Sequence, residues 1–207
     1  MTGITTTLKP FQLTLAIIKP HIISAPHALQ GIRETILANK FYIVRTKRHS
    51  LTLDEVKEFY AEHANRFYFK RLVTFMSSGP CDLHILAKVN AILEWRQLMG
   101  PTKSYQAHYS HPSSIRGKWG LSDTRNAAHG SDSPESVRRE IGILFPEFSE
   151  EHWLKEEKHY FENGAVYFDK ERFIHRIKDQ SCQIDPTVNT TVRMPDEELW
   201  KLVQTET

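Results

Sequence analysis

Apolar residues fall along this chain first as a short run and then at helical spacing. Residues 13–18 form a brief apolar run, the mark of a buried strand, and Lys19-Pro20 stops it. Residues 29–37 place their apolar side chains at helical intervals and end near Asn39. Residues 41–49 alternate as a strand does, with Phe41, Ile43 and Arg45 on one face. Thr52-Leu53-Asp54-Glu55 is a capping box, which predicts a helix from there to about His63. Residues 83–89 read as a third strand, 90–98 as a helix and 165–168 as the candidate fourth strand. This alternation predicts an α/β (α+β) sandwich.

Two stretches lack such a period. Residues 100–115 carry Gly, Pro, Ser and His without apolar repetition and read as a long loop. Loops of that length in compact domains are usually functional or mobile. In the tail, Ile174, Ile177, Leu199 and Leu202 are too sparse for a second core, and 185–191 is polar and turn-rich. The expectation is a helix over 169–178, a weakly ordered remainder and a short docking helix over 197–203. The chain thus divides into a flexible lead (1–11), a main domain (12–168) and a C-terminal extension (169–207).

Composition narrows the class. With 207 residues, 40% of them hydrophobic, there is enough material for one cored domain and an appendage. The formal charge of +2 and scattered basic residues give no nucleic-acid signal. Cys81 and Cys182 are too few and too far apart for a disulfide framework or metal knuckle, which fits a reducing compartment. No apolar run is long enough to span a bilayer. Residues 1–10, with one lysine, several threonines and no acid, faintly echo a mitochondrial presequence, so a mitochondrial location is expected, with the cytoplasm as the alternative.

Candidate chemistry centres on Arg125-Asn126-Ala127-Ala128-His129-Gly130-Ser131-Asp132-Ser133-Pro134. Ser133, Pro134 and Glu135 are a hydroxyl cap, a proline at the first helical position and an early acid, so His129 is expected in the turn just before a helix. A neutral imidazole is a good nucleophile, and one ring nitrogen attacks while the other needs an acceptor to fix its tautomer. Glu140, on the following helix, is the candidate acceptor, and Ser131 is placed to brace it.

The same turn resembles the N-x-x-H-G-S-D signature of the nucleoside diphosphate kinases. Five further motifs follow the family's order between about residues 12 and 148: the strand ending at Lys19-Pro20, the segment from Tyr60 to Tyr68, Phe75-Met76-Ser77-Ser78-Gly79-Pro80, the segment from Trp95 to Thr102, and Ser114-Ile115-Arg116-Gly117. Leu121-Ser122-Asp123-Thr124-Arg125-Asn126 and Phe145-Pro146-Glu147-Phe148-Ser149-Glu150 are most similar to the divergent nucleoside diphosphate kinase 6 branch. The resemblance implies a ferredoxin-like fold, a four-stranded antiparallel sheet with helices covering one face.

It also implies roles. Lys19, Arg96 and Arg116 supply cations for a triphosphate. Thr102 and Asn126 donate hydrogen bonds, Asn126 to the ribose, and Tyr60 approaches the transferred phosphoryl group. Tyr68 stacks on the base. Mg2+ bridges the phosphates, with Asp132 holding it through a water. Two positions depart from the family: His21 stands where most relatives have an acid, and Asp123 where they have an apolar residue facing the base. The loop from Thr102 to Arg116 holds a small insertion around residues 105–111, in a region that touches neighbouring subunits in the usual hexamer, so a smaller assembly is expected.

Two function classes follow. One is an enzyme passing the γ-phosphoryl group of ATP or another nucleoside triphosphate to nucleoside diphosphates through phosphohistidine at His129. The other is a catalytically weak nucleotide-binding or scaffold protein whose partner docks on loop 103–115 or on the C-terminal tail.

Overall fold

The computed structural model describes residues 9–178. Most of the expected N-terminal lead, the polar stretch 185–191 and the expected docking helix 197–203 therefore lie outside the described residues. Four strands, β1 (Phe11–Ile18), β2 (Tyr42–Ser50), β3 (Pro80–Val89) and β4 (Ala128–Gly130), form one antiparallel sheet in the order β2-β3-β1-β4. That is the ferredoxin-like order. The helices are α1 (Pro20–Ile23), α2 (Pro26–Ala38), α3 (Leu53–Phe59), α4 (Phe69–Met76), α5 (Ala91–Met99), α6 (Ser104–Ser110), α7 (Ile115–Trp119) and α8 (Pro134–Leu144). A final helical stretch starts as α9 (Glu150–His152), widens to a π-helical turn over Trp153–Glu157 and ends as α10 (Lys158–Glu162).

Helices pack on both faces of the sheet, not on one. Leu13, Leu15 and Ile17 of β1 join a core with Val56, Phe59 and Val137 from α3 and α8, whereas Ala16 and Ile18 join another with Ile32 and Trp95 from α2 and α5. This two-sided burial is why the first strand is apolar throughout except at Thr14 instead of alternating. Each such Leu or Ile removed from water contributes roughly 1.5–3 kcal/mol. The Thr52 capping box forms as expected: Glu55 N–H donates to Thr52 Oγ1 (3.2 Å) and Thr52 N–H to Glu55 Oε2 (2.7 Å).

Four local expectations are corrected. The fourth strand of the sheet is Ala128–Gly130, so His129 sits in a strand and not in a turn; three residues are too few to alternate visibly. Residues 165–168 instead begin a separate hairpin of β5 (Val166–Asp169) and β6 (Ile174–Ile177), where a helix over 169–178 was expected. Residues 100–115 are not one loop, because α6 fills 104–110; only Ser104 and Ala107 of that helix are buried, which leaves no apolar stripe to read. In β2 the register shifts between Ile43 and Arg45, so Ile43 packs in one core and Arg45 lies over Phe148 of the other.

Burial keeps several histidines neutral. Desolvation lowers His21, His84 and His175 to about 4 each, from an unfolded value near 6.5. The unfolded chain therefore binds more protons than the folded one between these values. The stability these groups contribute is complete above pH 6.5 and is lost as pH falls toward 4. Thermal melts should show the midpoint dropping steadily over that interval, and a flat profile there would contradict the neutral, buried assignment.

Candidate active site

His129 lies opposite Ile17 of β1, and its ring enters the core face covered by α3 and α8. Ser133 caps α8 by accepting the Ser136 N–H (3.1 Å), with Pro134 in the first turn, and the helix then turns Glu140 back toward β4. Glu140 is buried, and its Oε2 meets both His129 Nε2 (3.0 Å) and the Ser131 hydroxyl (2.6 Å). Ser131 is itself fixed to β1, donating its N–H to Leu15 O (3.3 Å) and accepting the Leu15 N–H at Oγ (3.4 Å). A carboxylate can only accept, so Nε2 carries the ring proton and Nδ1 keeps its lone pair. Nδ1 makes no hydrogen bond among the described residues. The edges of Phe59 and Tyr60 wall the ring, with centroids 5.0 and 6.2 Å away.

Cations gather on the neighbouring segment. Lys19 donates from Nζ to Asn126 Oδ1 (2.6 Å) and Thr124 O (3.2 Å). Arg116 donates to Gly100 O (2.8 Å), Ala128 O (3.0 Å) and Thr102 Oγ1 (3.4 Å). Both are buried, and among the described residues neither pairs with a carboxylate. Burial, with Arg116 nearby, lowers Lys19 to about 7; burial, with Arg96 nearby, lowers Arg116 to about 10. Two desolvated cations answered only by neutral oxygens form a place that an anion stabilises.

The other predicted residues take distinct places. Burial, with Cys81 and Glu140 nearby, drives the ionisation of Tyr60 well above the usual phenol range, and its hydroxyl has no partner among the described residues. Asn126 is occupied at both ends of its amide, since Nδ2 also donates to Thr102 O (3.1 Å). It braces Lys19 and Thr102 together with one N–H and one lone pair of its amide, and the second N–H makes no bond among the described residues. Arg96 is exposed, and its charge reaches both Arg116 and Asp132. Asp132 accepts from the Ser136 hydroxyl (2.7 Å), which holds its carboxyl below the usual range. Tyr68 is half-buried with its hydroxyl 3.2 Å from His63 Nδ1. Asp123 is turned to α6, accepting the Ser104 N–H (3.1 Å). His21 leans on Phe75 at 5.6 Å.

Three contributors escape a sequence reading. Trp95 Nε1 donates to His129 O (3.1 Å) and fixes the strand beneath the nucleophile. Phe59 forms one wall. Arg139 joins Phe59 O (3.1 Å), Glu62 (3.3 Å) and the second oxygen of Glu140 (3.7 Å). Trp95 opens the motif that runs to Thr102, and Phe59 and Arg139 adjoin Tyr60 and Glu140, but none of the three contacts is announced by spacing.

A model of the nucleoside diphosphate kinases matches residues 12–149. The chain belongs to the nucleoside diphosphate kinase family. It is 48% identical over 171 residues to nucleoside diphosphate kinase 6 of Danio rerio, covering 83% of this chain and 97% of that protein. Nucleoside diphosphate kinase 6 of Homo sapiens is 45% identical over 177 residues, 86% of this chain and 95% of that one. Among solved structures, the nucleoside diphosphate kinase of Aquifex aeolicus superposes with a TM-score of 0.63 at 38% identity, over 66% of this chain and 96% of its own. Membership in this family supports phosphoryl transfer between nucleotides.

The glycine after the histidine is required by packing. A Cβ at Gly130 would sit 2.6 Å from Trp95 Nε1, the atom that holds the His129 carbonyl. Gly130→Ala should therefore cost about 1–3 kcal/mol in urea unfolding, as overpacking in a filled core does. A neutral result would show that Trp95 yields without loss.

Proposed function

We propose that this chain transfers the γ-phosphoryl group of ATP, or another nucleoside triphosphate, to nucleoside diphosphates in two half-reactions through phosphohistidine at His129. The observation that carries this reading is the pairing of a carboxylate-oriented imidazole with two buried cations that have no counter-ion among the described residues. Phosphoryl transfer asks for positioning and fixed charge more than for acid or base groups. His129 Nδ1 attacks phosphorus, the bond to the leaving diphosphate breaks, and Glu140 stabilises the positive charge that spreads over the ring. The second half-reaction reverses these steps with a diphosphate as acceptor.

Lys19 and Arg116 meet the anionic oxygens. An incoming polyphosphate favours the ammonium form of Lys19, whose burial otherwise holds it near 7. Tyr60 offers its unpartnered hydroxyl beside the ring, Thr102 and Arg96 extend the polar wall, and Tyr68 presents a face to the base. Asn126 holds Lys19 in place and donates its remaining amide hydrogen to the ribose. Among the described residues no three metal-ligating side chains converge. A lone carboxylate kept anionic, as Asp132 is, suits Mg2+ bound chiefly by phosphates and water. Bound with the nucleotide, the ion neutralises phosphate charge.

A second reading has the chain work through a protein partner docked on residues 103–115 or on the C-terminal tail. It is favoured by Tyr105 and Tyr109 of α6, 76% and 74% exposed with ring centroids 4.7 Å apart.

Intact mass after brief incubation with ATP and Mg2+ separates the two. The enzyme reading expects one added phosphate that a nucleoside diphosphate removes, and no addition to His129→Ala. Lys19→Ala or Arg116→Ala should lower kcat/KM by an order of magnitude or more. Undiminished labelling of His129→Ala would refute the mechanism, and absence of labelling in the intact chain would favour the partner reading.

A further inference from the structure

Two opposite charges share one pocket without meeting. Residues 121–125 form a closed turn: the Leu121 N–H donates to Arg125 O (2.7 Å), the Arg125 N–H to Ser122 Oγ (3.1 Å) and the Ser104 hydroxyl to Ser122 O (2.8 Å). Between this turn, α4 and α6 lies an open pocket of about 460 Å3, lined by Arg71, Ser104, Asp123 and Thr124 among others. That is the size of a small-ligand site.

Each charge is fixed by one bond and keeps the rest of its capacity. Arg71 donates from Nε to Thr124 Oγ1 (3.0 Å), and its two terminal nitrogens make no bond among the described residues. Asp123 accepts the Ser104 N–H at Oδ1 (3.1 Å), and its Oδ2 accepts none among the described residues. Arg71 and Asp123 form no ion pair with each other. A fork of donors and a carboxylate edge thus stay open to whatever enters.

The pocket adjoins the proposed nucleotide path. Thr124 accepts Lys19 Nζ at its carbonyl (3.2 Å) and Arg71 at its hydroxyl, so one residue joins a phosphate cation to the pocket wall. Tyr68, whose face meets the base in the proposed pose, has helical dihedrals and precedes Arg71 by three residues, which puts the two side chains on the same side of α4. A nucleotide held at Lys19 and stacked on Tyr68 lays its base edge beside Arg71 and Asp123.

Hydrogen-bonding pattern then decides which base. Guanine offers two adjacent donors, N1–H and N2–H, to a carboxylate, and two adjacent acceptors, O6 and N7, to a guanidinium fork. Adenine reverses this, setting its N1 lone pair against the carboxylate and its N6 amino group against the fork. Uracil answers each charge with one atom where guanine answers with two. We infer that Arg71 and Asp123 make this chain selective for guanine nucleotides, an inference that rests on the nucleotide reading proposed above.

Isothermal titration calorimetry of the full-length chain with GDP, IDP and ADP in Mg2+ tests it. GDP should bind about tenfold more tightly than ADP, the worth of one hydrogen bond to a charged group in an open pocket, and IDP, which lacks the N2 amino group, should fall between them. Asp123→Asn keeps an oxygen for the Ser104 N–H but replaces the free acceptor by a donor, so GDP should weaken while ADP tightens. Arg71→Gln should weaken GDP and leave ADP unchanged. Equal affinity for GDP and ADP in the wild type would overturn the inference and leave the nucleotide reading standing. Absence of binding by all three diphosphates would remove that reading and the inference with it. A guanine preference that survives both substitutions, or variants that weaken GDP and ADP alike, would also overturn it, because the two residues would then only support the fold. If one variant fails to fold by circular dichroism, the other and the wild-type series still decide.

Discussion

Everything at the nucleophile depends on one buried carboxylate. Glu140 Oε2 accepts one hydrogen bond from His129 Nε2 and another from the Ser131 hydroxyl, and these two residues sit two apart on the same short stretch of chain. Burying an anion is costly unless its lone pairs are answered. The strand register that sets Ser131 against Leu15 and the Ser133 cap that starts α8 are therefore conditions for the site as well as for the fold. The carboxylate in turn chooses the imidazole tautomer, which chooses the attacking nitrogen. Arg139, bound to Phe59 O and close to the other Glu140 oxygen, ties the wall of the histidine to its orienting group.

The opposite side of the site is built against stability. Lys19 and Arg116 are buried among carbonyls, without a carboxylate among the described residues to offset their charge. Ala127, two residues before the nucleophile, holds a left-handed φ of 70° while its carbonyl accepts the Lys19 N–H (2.9 Å). Strain and unpaired charge in one place are what a preorganised anion site costs, and the two well-filled cores on either side of the sheet are large enough to carry it.

The sequence disclosed those parts of the fold that are set locally. The first strand, the Thr52 box and the Ser133-Pro134 start of α8 each announce themselves within a few residues. What stayed hidden depends on tertiary contact. Ala128–Gly130 becomes a strand because Ile17 lies beside it, and α6 is a helix that buries little more than Ala107. The bulge at Val44 turns Arg45 onto the other face, where Glu157 waits more than a hundred residues away in sequence. The site divides the same way. His129, Ser131 and Glu140 lie within twelve residues and were legible as a unit, as was the need for cations. Trp95 and Phe59 reach the nucleophile only through the tertiary fold, and Asn126 and Asp123 proved to be engaged with Lys19, Thr102 and Ser104 in ways no spacing announces.

The central claim is that Glu140 dictates which nitrogen of His129 reacts. Phosphohistidine has two isomers, and nitrogen-resolved NMR of the phosphorylated, isotopically labelled chain distinguishes them. The geometry predicts phosphate on Nδ1 alone, with Nε2 still protonated toward Glu140. Phosphate on Nε2 would contradict it, because that nitrogen is the one the carboxylate holds.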